Sequence, residues 1–488
     1  MRKILKNDQN IFIGLAIAFV ILNAFAIANE IFYLNALPFI FAVVWFAIRA
    51  MDKLIFTIVF FTPLSIPLSE YVDAPIDMFI PTEPLLAGLL LLFIILLPTK
   101  KYINPDILKH PITIAIFAHL GWMLVTTFTS TMPVVSIKFF LMRLWFVVAF
   151  YYLVIYIISQ NKQRNIERYI WLFAIPMVLV ISYALYRHFT FGIWDKKVAH
   201  FASNPFFKDH TIYGAVLALY VPVLVTMLFK KGKTIAYKYL TFIIAGFFIF
   251  ATVFSYSRAA WLSLVGAFFL FLIMKFKIKF HYLAFFGGIV LLFIALSWNQ
   301  IMVQLEQNEQ DSSVDNLGKH VQSISNISSD ASNMERINRW KSAFRMFAEK
   351  PVFGFGPGTY MFQYAPYQMS YEKTIISTNR GNRGNAHSEY FGPLSEQGIL
   401  GMLTFLIMAI TIIVVGINVY HRLKEHNLRL LAMGAVLGLF SYLLHGFLNN
   451  FLDTDKASVP FWGLTAIIVA LDLYSKNQDD SLKKLKSE

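Results

Sequence analysis

Long apolar runs, separated by short polar segments, recur along almost the whole chain. Most runs are close to the length of about 20 residues that a helix needs to cross the hydrocarbon core of a bilayer. Residues within the runs do not alternate between polar and apolar, as they do in the strands of a membrane barrel. The pattern predicts an all-α polytopic membrane protein with fourteen transmembrane helices, and a count of twelve is the alternative. The predicted spans are 11–28, 31–50, 53–68, 83–98, 111–130, 136–158, 168–189, 211–229, 237–255, 259–274, 281–297, 394–418, 428–447 and 457–474.

One long polar segment interrupts this pattern and defines the domain organisation. It separates an N-terminal membrane bundle of about eleven spans (1–297) from three C-terminal spans (394–474) and a cytoplasmic tail (475–488). The segment itself covers roughly 298–393. A loop of that length is usually either functional or disordered. Because its middle carries a helical pattern, we expect a functional loop.

The middle of this loop is predicted to form an amphipathic helix. Ser332 to Glu335 fit a capping box at its start, and Pro351 is expected to end it. Apolar side chains recur between these limits at helical spacing. The stripe consists of Ile337, Trp340, Phe344 and Phe347. A Gly-rich turn follows at 354–358.

The distribution of charge predicts how the helices are oriented. The chain is 57% hydrophobic and only 14% charged, yet its net charge is +14. Lysine and arginine concentrate in alternate short loops, such as the one containing Lys230, Lys231 and Lys233. The positive-inside rule places these loops and both chain ends in the cytoplasm, so the long loop is extracytoplasmic. We interpret the positive charge as a sign of topology and not of nucleic-acid binding. Cysteine is absent, which excludes disulfides and thiolate metal sites.

Five cationic side chains from separate segments are predicted to lie on the outer side, where positive charge is otherwise scarce. Charges in or near the bilayer are costly, so each requires a partner or a ligand. Arginine's planar fork matches phosphate oxygens, and histidine can accept a proton near neutral pH. We therefore expect an anionic ligand at that face, and a lipid pyrophosphate is the natural candidate. The five residues are Arg143, Arg258, Arg336, His387 and His445.

Other polar residues fit solvated positions better. Lys208, Asp209 and His210 form a trio at the outer mouth of the eighth span, and by themselves they resemble an ordinary loop. Arg339 flanks the apolar stripe and is expected to face solvent. A D-x-D motif, Asp453-Thr454-Asp455, can hold a metal and a nucleotide-sugar. Nucleotide-sugars are cytoplasmic, however, and this turn is predicted to lie outside, so we interpret it as a solvated loop.

Several of these segments together resemble the O-antigen ligase/polymerase superfamily. The matching motifs extend from about 200 to 415, and the rest of the chain matches in its span pattern only. The motifs are Asn204-Pro205 to Gly214, Ser257-Arg258-Ala259-Ala260-Trp261, Met334-Glu335-Arg336 to Trp340, Pro351 to Tyr360, Asn385-Ala386-His387-Ser388-Glu389-Tyr390 and Glu396-Gln397-Gly398-Ile399-Leu400-Gly401.

The resemblance implies a GT-C-type helical fold with its active site on the periplasmic face of a bacterial inner membrane. It implies a glycan donor on undecaprenyl pyrophosphate, an acceptor hydroxyl on lipid A-core or on a growing polysaccharide, and no metal or other cofactor. His387 would be the catalytic histidine, and Arg258 and Arg336 would face the pyrophosphate. Arg143 is a further candidate phosphate ligand because of its depth in the sixth predicted span, and not because of the resemblance. The secondary candidates are His210, Lys208, Glu389 and His445. The family usually has twelve spans, so the first four predicted spans depart from its pattern.

Three readings remain open within this class and two outside it. Ligation to lipid A-core, polymerisation of repeat units and transfer to protein hydroxyls differ only in the acceptor. A polysaccharide transporter or lipid-linked oligosaccharide flippase suits a count of fourteen spans, but transporters place ionisable groups near the bilayer midplane and show repeated halves. A non-catalytic membrane scaffold is the remaining alternative, and it predicts that His387 and Arg258 tolerate substitution.

Overall fold

A computed structural model describes residues 2–29, 33–38, 49–70, 78–99, 103–278, 331–374 and 384–487, with residues 41, 43, 45, 296 and 377. The chain divides into two compact units, Met1–Thr57 and Ile58–Glu488. The first unit contains helix α1 (Arg2–Ala28) and a 3-10 turn at Tyr33–Ala36. Asn23 Nδ2 donates a hydrogen bond of 2.8 Å to Asn35 Oδ1 within this unit.

Helices account for nearly all the secondary structure that follows α1. A π-helical stretch, Val147–Tyr152, joins two of them into one continuous rod. The helices are α2 (Met51–Phe61), α3 (Thr82–Leu96), α4 (Pro105–Leu108), α5 (Pro111–Phe128), α6 (Pro133–Phe146), α7 (Leu153–Gln160), α8 (Lys162–Phe191), α9 (Lys196–Ala202), α10 (His210–Leu228), α11 (Ile235–Phe254), α12 (Arg258–Phe276), α13 (Ala331–Glu349), α14 (Tyr360–Gln363), α15 (Phe391–Arg422), α16 (His426–His445) and α17 (Asp455–Ser487). The described strands, β1 (Ile66–Pro67) and β2 (Phe79–Ile80), form one short antiparallel pair.

Within the described ranges, ten stretches are long and apolar enough to cross a membrane. This confirms the predicted all-α polytopic class. The third predicted span, 53–68, is wrong as a straight span because α2 ends at Phe61 and a 3-10 turn and β1 follow it. Eleven residues of helix rise only about 16 Å, roughly half of the hydrocarbon thickness. The eleventh predicted span, 281–297, and much of the second, 31–50, lie outside the described residues.

The second unit has a central group of helices and a peripheral group. The apolar windows of α10, α16 and α17 are 83%, 78% and 89% buried, whereas those of α11, α12 and α15 are each 33% buried. Helices that are apolar all round and buried form the core of a bundle, while those with an exposed apolar side suit contact with lipid. Helix α17 continues through the predicted cytoplasmic tail to Ser487.

The predicted amphipathic helix is present as α13. It ends at Glu349, which confirms that Pro351 lies beyond its end. Ser332 lies inside the helix, so the predicted capping position is wrong, and its side chain is outside the described residues. The Trp340 ring lies 5.3 Å from that of Phe391 at the start of α15, so the apolar stripe packs on the bundle.

The Gly-rich turn after α13 docks onto a break in α15. Gly398 has a φ of +69°, in the left-handed region that glycine tolerates best, and interrupts the helix there. The interruption leaves the carbonyls of Ser395 and Glu396 free to accept hydrogen bonds from the amides of Phe355 and Gly356, at 3.2 and 2.7 Å. The Gly-rich turn therefore packs against the motif that includes Gly398.

Candidate functional site

His387 lies in a short segment between the long loop and α15. Its backbone has a φ of +49°, which is unusual for a residue other than glycine and is often found at functional sites. The Asn385 side chain accepts from the His387 amide at 3.1 Å, and Trp340 Nε1 donates to the His387 carbonyl at 3.4 Å. These bonds hold the backbone in its strained conformation. The imidazole is hydrogen-bonded to the side chain of Asn449.

The electrostatic surroundings of His387 keep its imidazole neutral. Burial lowers its pKa from 6.5 to about 3, and the charges of Arg336 and Arg339 lower it further, against the opposing effect of Asp209. A buried cation beside other cations is doubly unfavourable. At neutral pH the ring therefore has a free lone pair and can accept a proton.

Arg336 reaches the same region from α13. Its Nε donates to the carbonyl of Leu448 at 3.3 Å, in the loop after α16. Burial lowers the pKa of the guanidinium, and the nearby carboxylate of Asp209 only partly offsets this. This bond places Arg336 on the side of α13 that faces the loop after α16.

Arg258 enters from the first residue of α12. The preceding Tyr256 also has a positive φ, +50°, so the turn before the arginine is strained. Gly214 of α10 allows this turn to pack closely, because a Cβ there would lie 2.7 Å from the Cβ of Ser257. This close approach brings the start of α10 beside Arg258. Arg258 and Arg336 are near enough to repel each other.

Lys196, at the start of α9, adds a third cation. Its pKa is lowered by burial and then by the charges of Arg258 and Arg336. The sequence analysis did not select this residue. A signal was present, because Lys196 and Lys197 lie in a predicted outer loop where lysine is otherwise scarce. Lys196, Arg258, Arg336 and His387 are together called the cationic cluster.

Acidic and imidazole groups lie beside the cationic cluster. Asp209 caps α10 by accepting from the Thr211 amide at 2.9 Å and lies 2.8 Å from His210 Nδ1. Burial would raise the pKa of Asp209, but these hydrogen bonds outweigh it and hold the pKa below its ordinary value. The His210 ring lies 4.1 Å from the His200 ring, whose pKa falls to about 4 through burial and the proximity of His210. Asp209 thus lies close enough to Arg336, His387 and His445 to act electrostatically on each of them.

His445 lies at the end of α16, beside this region. It is 1% exposed, and neither ring nitrogen has a hydrogen-bond partner among the described residues. Arg336 and Asp209 both act on it electrostatically. The structure therefore brings His445, His210, Arg258, Arg336 and His387 together. It does not bring Lys208 to the cluster, since that side chain is exposed and lies over the Phe79 ring.

Arg143 occupies a different site. It lines a cavity of about 410 Å³ whose wall includes neither His387 nor Arg258 nor Arg336. Its Nη1 donates to the carbonyl of Leu452 at 2.5 Å, and it is 8% exposed. Although Arg143 was grouped with the other arginines from the sequence, the structure separates it from them. We call this space the Arg143 cavity.

Glu389 is a positioning residue between the two sites. Its Oε1 accepts from the Tyr442 hydroxyl at 2.7 Å and from the amides of Phe451 and Leu452, each at 2.8 Å. These bonds hold the loop that supplies Asn449 and the carbonyl of Leu448. One carboxylate oxygen of Glu389, a secondary candidate from the sequence, thus accepts three hydrogen bonds from the protein.

Two residues that were expected from the sequence to face solvent are buried in the structure. Asp455 is 0% exposed, and its Oδ2 accepts from Ser65 at 2.7 Å and Thr82 at 2.6 Å, so the D-x-D motif is not a solvated loop. Arg339 is 5% exposed and pairs with Glu335 at 2.8 Å. This i,i+4 pair is visible in the sequence. Within the described residues, no group of three or more acidic, histidine or cysteine side chains could hold a metal ion.

These features define a polytopic helical membrane protein with a half-buried cationic cluster near one end of its bundle. A family model described as O-antigen ligase matches residues 240–406, a segment that contains Arg258, Arg336 and His387. The match confirms the resemblance seen in the motifs for this segment of the chain. No curated protein matches the chain.

Proposed function

We propose that this protein transfers a glycan from undecaprenyl pyrophosphate to an acceptor hydroxyl, on the periplasmic face of a bacterial inner membrane. The acceptor is a sugar of lipid A-core or of a growing polysaccharide, and these two variants use the same chemistry. His387 is the general base, and Arg258 and Arg336 bind the pyrophosphate. No metal ion takes part in the proposed mechanism.

The observation that carries this proposal is the convergence of three cationic side chains on one half-buried region. Lys196, Arg258 and Arg336 come from three separate helices and are close enough to act electrostatically on one another. Placing cations together in a half-buried site is costly unless a ligand of opposite charge repays the cost. A pyrophosphate diester supplies two negative charges and several acceptor oxygens for the guanidinium forks.

The proposed reaction is a displacement at the anomeric carbon of the donor sugar. His387 removes the proton from the acceptor hydroxyl as its oxygen forms a bond to that carbon. The bond from the carbon to the pyrophosphate oxygen breaks, and its electron pair leaves with the pyrophosphate. The arginines stabilise the charge that develops on this leaving group. Attack from the face opposite the leaving group inverts the anomeric centre.

The pKa of His387 supports this role when the donor is considered. Without ligand, burial and the charges of Arg336 and Arg339 hold the pKa at about 3, which makes the imidazole a weak base. A bound pyrophosphate offsets the arginine charges and raises the pKa toward the range where a base is effective. Proton acceptance is thereby coupled to donor binding.

The test is a transfer assay with purified protein in lipid nanodiscs, an undecaprenyl pyrophosphate glycan, and candidate acceptors offered one at a time. Wild-type protein should transfer the glycan to one acceptor class. His387→Ala should reduce transfer by about 10²- to 10⁴-fold, the usual contribution of a general base. The control is His421→Ala at the opposite end of α15, which should transfer at the wild-type rate. Undiminished transfer by His387→Ala, in protein that elutes as the wild type does, would refute the assigned role.

A further inference from the structure

Arg339 lies against the backbone of the segment that carries His387. Its Nη1 donates a hydrogen bond of 3.2 Å to the carbonyl of Asn385. The guanidinium also packs closely on Gly384, since a Cβ at that position would overlap it. One side chain of α13 thus contacts both residues that precede Ala386, and a residue larger than glycine at 384 would displace it.

Asn385 connects the Arg339 guanidinium to the unusual backbone of His387. The Asn385 carbonyl accepts from Arg339, while the Asn385 side chain accepts from the His387 amide at 3.1 Å. A positive φ in a residue other than glycine is unfavourable and persists only where the surrounding structure enforces it. Through Asn385, the arginine supplies part of that enforcement at His387.

Three further contacts fix the position of Arg339 itself. Its Nε donates to Glu335 Oε1 at 2.8 Å, one turn earlier in α13. Its Cζ lies 4.7 Å from the centre of the Tyr364 ring, and the Tyr360 hydroxyl donates to its backbone carbonyl at 2.8 Å. The guanidinium therefore has an acid on one side, a backbone carbonyl on another and an aromatic face against its plane. A buried side chain held in this way can transmit its own position to its neighbours.

Glu335 is in turn held by the later part of the long loop. Its Oε2 accepts from Thr374 Oγ1 at 3.0 Å and from the Ser377 hydroxyl. Glu335 and Arg339 thus form a buried ion pair with further hydrogen bonds. Such a pair adds little net stability compared with apolar side chains of similar size. The benefit that it offers at this position is a fixed geometry.

Arg339 also acts on the imidazole of His387 through its charge. Burial and then the charges of Arg336 and Arg339 lower the pKa of His387 to about 3, against the effect of Asp209. Loss of the Arg339 charge would therefore raise this pKa, and an unpaired carboxylate at Glu335 would raise it further. The ionisable and hydrogen-bonding groups of this region are Arg336, Arg339, Asp209, His445 and Asn449.

We propose that Arg339 is a positioning residue for His387, and that Glu335 holds the Arg339 guanidinium in place. The guanidinium fixes Gly384 and Asn385, and these residues fix the backbone from which the imidazole projects. The consequence for glycan transfer rests on the proposed function, in which His387 is the base. The influence of Arg339 on the imidazole does not, and it can be measured without substrate.

The first measurement uses the full chain in nanodiscs, without donor or acceptor. Its histidines are labelled with ¹⁵N, the His387 signal is identified by its absence in His387→Ala, and the pH is lowered from 7 to 3. Arg339→Met and the double variant Glu335→Gln/Arg339→Met should each raise the titration midpoint of His387 by about one pH unit or more. The double variant leaves no unpaired buried carboxylate, so it gives the answer if Arg339→Met fails to fold. Arg339→Lys keeps the charge and should titrate near the wild-type midpoint.

The second measurement is transfer at varied donor concentration. The double variant should lower kcat by about 10- to 100-fold, the cost of a slightly misplaced catalytic group. Its KM for the donor should stay within about twofold of the wild type, because Arg258 and Arg336 still hold the pyrophosphate. Arg339→Lys should lower kcat by about 3- to 10-fold, since one ammonium group lacks the fork that bridges an acid and a carbonyl.

The matched control is the double variant Arg345→Met/Glu372→Gln. It removes an ion pair of the same helix and the same loop, at 2.7 Å, that has no contact with the His387 segment. Both the midpoint and kcat should match the wild type. The inference is overturned if the Glu335→Gln/Arg339→Met variant titrates and transfers as the wild type does, or if the control changes both quantities equally. A raised midpoint together with undiminished transfer by His387→Ala would support the positioning role and count against the proposed function.

Discussion

Arg336 is half-buried and Arg143 is buried, and the two arginines have different ionisable neighbours. Arg336 lies with Lys196 and Arg258 and has Asp209 as its nearby carboxylate. Arg143 lies in a cavity whose lining acids outnumber its bases. An arginine in the first setting adds to an electrostatic attraction for anions, whereas in the second it moderates an acidic site.

The comparison teaches that the residue type alone does not define the ligand. Each arginine donates one hydrogen bond to a backbone carbonyl of the loop between α16 and α17, at Leu448 for Arg336 and at Leu452 for Arg143. The local contacts are thus similar, and the neighbours decide which charge each site attracts. The segment around His387 lies between the two, because its neighbours Asn385, Ser388 and Glu389 line the Arg143 cavity whereas His387 does not.

Among the variants that compare the two arginine sites, the largest effect should come from Arg258→Lys and Arg336→Lys. Lysine keeps the charge but lacks the planar fork that binds two phosphate oxygens at once, so kcat/KM for the donor should fall by about 10- to 100-fold. Kinetics with varied donor concentration measure this.

Arg345→Lys is the matched control for these variants. Arg345 lies on α13 and binds Glu372 through two nitrogens, each at 2.7 Å, away from the cationic cluster. Its substitution should leave kcat/KM near the wild-type value. An equal loss in all three variants would mean that the effect is general to the fold and not specific to pyrophosphate.

A smaller effect separates positioning from chemistry at Glu389. Glu389→Gln retains Oε1 as an acceptor for Tyr442, Phe451 and Leu452, so we expect transfer within about threefold of the wild type. Glu389→Ala removes the acceptor, and both transfer and the thermal midpoint should fall. Transfer assays and thermal unfolding of the two variants test this. A Glu389→Gln variant as inactive as Glu389→Ala would indicate that the carboxylate takes part in proton transfer.

The smallest expected effect is on pH dependence. The imidazole of His387 acts as a base only when neutral, and its pKa without ligand is about 3 instead of 6.5. Lowering the pH through 6.5 therefore should not reduce kcat/KM, and the loss should begin only near this lower pKa. As the pH is lowered, kcat should begin to fall at a higher pH than kcat/KM does, because the bound pyrophosphate raises the pKa of His387. Rate profiles at saturating and limiting donor measure both. Half-loss of kcat/KM near pH 6.5 would contradict the account.

Much of the fold and part of the site follow from the sequence alone. The apolar runs predicted α3, α5 and most later spans, because helix length in a bilayer is set by a simple physical limit. The same argument failed at 53–68, where an apolar run belongs to a short helix and a turn. Hydropathy records burial, and it does not distinguish contact with lipid from contact with protein.

Residues of the candidate site were selected from the sequence where a cation stood in a predicted outer segment, against the positive-inside rule. The surroundings that depend on the packing of distant segments were not predicted. Arg258, Arg336 and His387 were found because outer cations are unusual. Arg143 satisfied the same rule, but its acidic neighbours Glu389, Glu396 and Asp453 come from segments distant in sequence. No local pattern indicates that these acids converge on it. Only the packing of α6, α15 and the last loop reveals the difference.

The most direct test of the central claim is a binding measurement with the donor alone. Undecaprenyl pyrophosphate glycan is titrated, without acceptor, into nanodiscs that contain wild-type protein, His387→Ala or the double variant Arg258→Lys/Arg336→Lys. The account predicts that His387→Ala binds the donor as tightly as the wild type, while the double variant binds it at least about 10-fold more weakly. Equal donor affinity in the wild type and the double variant would contradict the assignment of these arginines to the pyrophosphate.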